Sequence, residues 1–326
     1  MQTYTVQTTT SLKAFLFNLI DYAGLFPPAK LPLDEAIQDY AAYRESDQNW
    51  MLSRFIVPAS RLAELCALAG DLFSKATTPF RFSILGQGEA DQDAFLQTLT
   101  RDLQVLAAFR RCLNTGIVAD MFEVPLPASA LANRATAWTL LTALHEHLSA
   151  VGNLRAFYEV PAGPTWSKMM FTLVDLLAEF NLIHKTDYGL KVRCGGVKPA
   201  DFPLSVDVTM ALLQCRDRNV ALKATAGLHH PIRHLDSSMP VMMHGFLNLF
   251  GAGILSHVHC LDAATMQAIL DDEAVDNFHF TNDAFAWNDY VANVDEIRAV
   301  RRDALISFGS CSFEEPYQDL QAMGLM

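Results

Sequence analysis

The chain has 326 residues, 51% of them hydrophobic and 18% charged, so a large buried core is available and disorder by composition is excluded. The 36 acidic residues outnumber 24 basic ones, for a net charge of -12. That balance argues against a broad nucleic-acid or anionic-membrane surface, but not against a small anion, which needs only a few local cations.

In chain order, the first fifty residues read as helical. Ser11 is expected to cap a helix running to Phe26, which Pro27 and Pro28 stop; a second helix spans about Leu33 to Glu45. Residues 1–48 are therefore expected to form an N-terminal helical extension, and 49–326 the body of a single domain. From WMLSRFIVP onward one pattern recurs: a short apolar strand ends in Pro or Gly, and a helix follows. The predicted strands are Trp50–Val57, Phe80–Leu85, Gly116–Val124, Leu154–Val160, Leu190–Cys194 and Val220–Thr225. A seventh is expected near Asn277–Thr281 and an eighth near Ala304–Phe308. The first six exits lie 28 to 39 residues apart, the length of a βα unit. Eight such units predict an α/β fold of the TIM-like (β/α)8 barrel type. An open doubly wound parallel sheet is the alternative, but no GxGxxG follows the first strand and no GxxxxGK[ST] occurs.

Six scattered cysteines lack CxxC spacing and read as reduced thiols. No apolar run reaches transmembrane length, and MQTYTVQTTTSLK lacks the pattern of a signal peptide, so a cytoplasmic location is expected.

Functional groups of parallel α/β folds gather at the carboxyl ends of strands. MFEVP and FYEVP place Glu123 and Glu159 at the same offset before Val-Pro, an arrangement suited to acid/base work or to sharing a cation. In LKVRCGG, Lys191 and Arg193 share a strand face, and Gly195 and Gly196 allow close backbone approach; together they read as an anion cradle. In ALKATAGLHHPIRH, Lys223 interrupts an apolar run as a candidate base or imine nucleophile, with His229 as a catalytic candidate and His230 as a binding one. Gly309 and Ser310, in ISFGSCSFEEP, are candidate anion ligands at the last exit; no GxSxG elbow accompanies Ser310 or Cys311. His257 and His259 form an HxH pair on a helix, where neighbours two apart do not share a face. Asp21, Tyr22 and Lys30 in DYAGLFPPAK read first as part of a packing turn, with a place over the site as the alternative.

The segments DYAGLFPPAKL, LKVRCGGVKP, LKATAGLHHP and FGSCSFEEP together resemble a group of bacterial hypothetical proteins of similar length. That resemblance spans the chain, implies a (β/α) barrel and brings no catalytic residues with it. Locally, LKVRCGG and ALKATAG are similar to lysine-bearing strand ends of class I aldolases of the deoxyribose-phosphate type, which implies Schiff-base chemistry over about a dozen residues.

The leading expectation is a lyase, aldolase or isomerase using acid/base chemistry on a small phosphorylated or carboxylated metabolite. Lys191, Arg193 and the glycine turn would hold the anion, Glu159 with Glu123 would move protons, and Lys223 or a loop histidine would meet the carbonyl. The sequence leaves the cofactor open, with none or a divalent metal as the alternatives. One alternative is a metal-dependent hydrolase or isomerase, with Glu123, Glu159 and His229 or His230 around a divalent ion. Another is a non-catalytic anion-binding sensor or scaffold. Homo-oligomerisation is left open by the sequence.

Overall fold

A computed structural model describes residues 8–113, 116–152 and 154–326. The strands in chain order are β1 (Ile20–Tyr22), β2 (Leu52–Pro58), β3 (Phe80–Leu85), β4 (Ile117–Pro125), β5 (Arg155–Glu159), β6 (Gly189–Arg193) and β7 (Leu222–Thr225). After them come β8 (His234–Asp236), β9 (Val241–Met243), β10 (Phe278–Phe280), β11 (Ala284–Trp287), β12 (Tyr290–Asn293) and β13 (Leu305–Ser310). Strands β1 to β7 and β13 close into one all-parallel barrel, in the order β1-β13-β7-β6-β5-β4-β3-β2. This is the (β/α)8 barrel expected, and the open sheet is not formed.

Helices Leu33–Arg44, Leu62–Ser74, Gln92–Leu113, Arg134–Val151, Trp166–His184, Ser205–Arg218, Phe246–His259 and Glu314–Ala322 each follow a barrel strand. Their ends follow local chemistry. Asn133 caps Arg134–Val151 by accepting from Thr136 N–H, and Lys185 and Asn219 close two helices in the left-handed conformation.

Two expectations about membership are corrected. The N-terminal region is not a helical extension out to residue 48. Thr9, rather than Ser11, caps a helix that ends at Leu16, and Ile20–Tyr22 enters the barrel between β13 and β2. The helix Leu33–Arg44 belongs to the first βα unit. Short apolar runs such as NLIDYAG do not distinguish strand from helix by periodicity. Residues 1–7 of the expected extension lie outside the described residues. The second correction concerns Asn277–Thr281: its strand β10 pairs antiparallel with β11 in a small outer sheet, so β13 pairs directly with β7 and β1 makes up the eighth barrel strand.

Most apolar side chains pack between the barrel and its helices; there Phe73 meets Phe80, Phe82 and Phe109 edge to face. A separate cluster of Met121, Phe157 and Ala221, with Ile306 against it, packs apart from that core. Gly189 makes room there: a Cβ would lie 2.4 Å from the Phe157 ring and 2.5 Å from the Ala221 carbonyl oxygen. Among the described residues, no helix is long and apolar enough to cross a membrane.

Candidate active site at the carboxyl mouth of the barrel

A cavity of about 600 Å3 opens at the carboxyl ends of the strands. Ile56, Leu85 and Thr225 line it from β2, β3 and β7, and Phe26, Pro27 and Pro28 form part of its wall. Lys191 reaches it from β6 with only 5% of the residue exposed, whereas Arg193, one turn of the pleat further on, has 48% of its side chain exposed.

Beneath this cavity lies a layer of buried charge. Lys223 Nζ sits 2.7 Å from Asp21 Oδ2 and 2.5 Å from Glu123 Oε1. Lys191 Nζ sits 2.9 Å from Glu123 Oε2 and 3.4 Å from Glu159 Oε2, and Arg193 Nε lies 3.3 Å from Glu159 Oε1. Three carboxylates therefore face three cations. Two hydroxyls complete the shell: Ser83 donates to Glu123 at 2.5 Å and Ser307 to Asp21 at 2.6 Å, while Arg54 N–H donates to the other Asp21 oxygen. Glu123 Oε2 has no aligned hydrogen-bond donor among the described residues, so its contact with Lys191 is ionic.

Of the six residues expected to converge, Glu123, Glu159, Lys191, Arg193 and Lys223 form one ion-paired group, whereas His229 lines the cavity but pairs with Glu315. The two glutamates are not level, however. Across β4 and β5, Glu123 is opposite Phe157 and Glu159 opposite Pro125, so Glu159 stands two residues nearer the mouth. Equal offsets before Val-Pro do not give equal height because barrel strands are staggered. The carboxylates meet through Lys191. Burial opposes the charge on Glu123, but Lys191 and Lys223 outweigh it and hold its carboxyl well below the usual range. Burial likewise opposes the charge on Lys191, and Glu123 and Glu159 outweigh it, raising its pKa.

Other candidates separate from this group. Gly196 lines the cavity, but the turn it shares with Gly195 presents Val197 and Lys198 N–H to Asp201 Oδ2, both at 3.0 Å. Asp201 thus fills the place proposed for an external anion. Gly195 packs against Gly227 instead; a Cβ on it would lie 2.7 Å from the Gly227 Cα. Gly309 lines the cavity, whereas Ser310 is buried and its carbonyl accepts from Ala23 N–H. Ala226, at the β7 exit, adopts φ +60, an uncommon conformation for a residue with a side chain. His257 and His259 end the helix Phe246–His259, where His259 bonds the Val291 carbonyl.

His229 and His230 also line the cavity, held by Glu315 at 3.1 Å and Asp319 at 2.5 Å respectively. Burial works against charge on His229, but Cys311 and Glu315 outweigh it and push its pKa up to about 10. Cys311 and Glu315 both approach Nδ1, so this is not a relay in which acid and nucleophile use opposite ring nitrogens. His229 is expected to remain an imidazolium at pH 8. Its raised pKa contributes stability fully present below pH 6.5 and lost as pH rises through about 10. Histidine ring NMR across this window checks it; a neutral ring at pH 8 contradicts the assignment.

Asp21, read from the sequence mainly as part of a packing turn, belongs to this layer of buried charge. Its signal was a lone charge in an apolar run, NLIDYAG, the same signal that marked Lys223. Among the described residues, no three His, Cys, Asp or Glu side chains group as metal ligands; Glu123 faces two ammonium groups, and the histidines face acids on the last helix. No protein-family model and no curated protein matches this chain.

Proposed function

We propose that this barrel is an imine-forming lyase or aldolase acting on a small carbonyl metabolite that bears a carboxylate or phosphate. One observation carries the reading: Lys191 is the sole lysine among the described residues lining the cavity, and it lies beside Glu159. Barrels of this fold commonly carry enzymes at this mouth. Buried ion layers are costly to maintain for stability alone, which favours a chemical use here.

Lys191 rests as an ammonium. Glu159, 14% exposed and 3.4 Å away, accepts its proton as a carbonyl substrate enters. The free amine adds to the carbonyl carbon, and the carbinolamine loses water as Glu159 returns the proton to the departing oxygen. The resulting iminium draws in the electron pair of the Cα–Cβ bond as Glu159 takes the proton of the substrate's β-hydroxyl, so that the hydroxyl-bearing fragment leaves as an aldehyde and an enamine stays on Lys191. Proton return to carbon and hydrolysis by water release product and restore Lys191. Lys223 lies one strand away in register with Lys191 and is 1% exposed, so it serves as the buried counter-charge of Asp21 and Glu123. The nucleophile's part therefore passes from Lys223, its expected holder, to Lys191. Arg193 and the imidazolium of His229 supply positive charge at the mouth for the substrate's anionic group.

Borohydride trapping tests this. Incubation with pyruvate, acetaldehyde or dihydroxyacetone phosphate and borohydride is expected to leave a secondary-amine adduct on the peptide containing Lys191, and none in Lys191→Met. An adduct on Lys223 with Lys191 unmodified would reverse the assignment. No adduct with any carbonyl probe would favour the non-catalytic anion-binding barrel.

A further inference from the structure

The opposite mouth of the barrel holds a second cavity, of about 730 Å3, among the amino ends of the strands. From the charge arrangement there we infer a binding site for a small phosphate-bearing metabolite, separate from the carboxyl-mouth site. The charges at this mouth have no part in the imine chemistry proposed for the other.

The chain carries a net charge of -12, yet seven of its 24 lysines and arginines line this cavity and no described lining residue is acidic. The inner ring is Arg54, Arg81, Arg155 and Arg301. Arg54 and Arg81 share Asp120, at 2.8 and 3.4 Å, and Arg155 meets Asp187 at 2.7 Å. Arg301 is only 7% exposed and has no carboxylate partner among the described residues. Its guanidinium donates instead to the carbonyls of Phe15, Phe17, Leu305 and Ile306. Four arginines thus share two aspartates in ion pairs. Asp21 acts on Arg54 and Arg301 from further off, but it is already paired with Lys223. Carbonyl oxygens satisfy the N–H groups of Arg301 but do not neutralise its charge, and a buried charge without a contacting partner is costly. A bound anion would supply the missing counter-charge.

The outer cations can turn toward a ligand. Arg298 and Arg302 pair only with Asp295 and Asp303, neighbours on their own helix, and all four side chains are more than half exposed. Exposed pairs of this kind are weak. Lys13 has no ion-pair partner among the described residues. Guanidinium groups present paired donors that match phosphate oxygens.

Size and lining narrow the ligand further. The space falls in the range that holds whole small molecules, well above what one phosphate ion fills. Ala14, Phe17 and Ile306 add apolar wall, and Phe17 is 58% exposed. A phosphate group with an attached apolar or aromatic part fits this combination better than a free ion.

Calorimetric titration with ADP, and with pyrophosphate, at low ionic strength tests the site. Saturable binding is expected, weakened by added salt as surface electrostatics are screened. The triple variant Lys13→Ala, Arg298→Ala, Arg302→Ala removes exposed side chains and is expected to stay folded by circular dichroism. It should weaken binding roughly tenfold or more. Arg193→Ala, at the other mouth, should leave unchanged the binding that the triple variant removes. Absence of saturable binding for both probes overturns the proposal. So does binding that survives the triple variant or is lost in Arg193→Ala, which would put the anion at the carboxyl mouth.

Discussion

Glu123→Leu is expected to lower the stability of the fold by about 3–5 kcal/mol, the range seen when one partner of a buried ion pair is removed. Glu123 is fully buried and touches both Lys191 and Lys223. Without it, three cations face the carboxylates of Asp21 and Glu159 alone, and Ser83 loses its acceptor. Since whole domains are stable by only about 5–15 kcal/mol, this is a large fraction of the total. The depressed pKa of Glu123 adds a pH signature. A carboxylate held below its ordinary value stabilises the fold above that value, near 4.5, and the contribution fades as pH falls below it. Urea unfolding of wild type should weaken below pH 4.5, and Glu123→Leu should lose part of that dependence. A loss under about 1 kcal/mol, with an unchanged acid limb, would show that the layer is not an energetic unit.

The same layer explains what the sequence revealed and what it concealed. Glu123, Glu159, Lys191 and Lys223 were legible because each is a charge within an apolar strand, and barrel topology directs the carboxyl ends of such strands to one mouth. Asp21 carried the same signal but stood in a three-residue strand, too short to show a period of two beside a helix-like run. The hydroxyls of Ser83 and Ser307 are unremarkable in sequence and matter only because closure brings them to Glu123 and Asp21. Depth was concealed for a different reason. Lys191 and Lys223 are in register on adjacent strands, yet one opens to the cavity and the other is sealed between two acids. That distinction depends on what the other strands contribute across the barrel. The Gly195–Gly196 turn shows the converse: its anion partner, Asp201, was present a few residues downstream in GGVKPAD. A local acid able to reach the N–H groups of the next turn competes with any external ligand.

Lys191→Met and Lys223→Met are expected to part company, and the contrast separates chemistry from scaffold. In Lys191→Met each carboxylate that the lysine touched keeps a cation: Glu123 retains Lys223 at 2.5 Å and Glu159 retains Arg193 at 3.3 Å. The expected stability cost is therefore modest, roughly 1–3 kcal/mol for lost bonds to a charged group. Turnover of whichever carbonyl probe forms the trapped adduct should fall by at least about 10^4-fold, as when a covalent nucleophile is removed. In Lys223→Met, Asp21 loses its one ammonium contact, and both Asp21 and Glu123 remain fully buried. That should cost about 3–5 kcal/mol, with residual activity in the protein that stays folded. Lys191→Arg sharpens the test, because it preserves the positive charge but supplies no amine for imine formation; it should retain stability and lose turnover together with trapping. Denaturant midpoints measured beside single-turnover rates decide the matter. A stable, inactive Lys223→Met alongside an active Lys191→Arg would move the nucleophile one strand over and make Lys191 an anion-holding group.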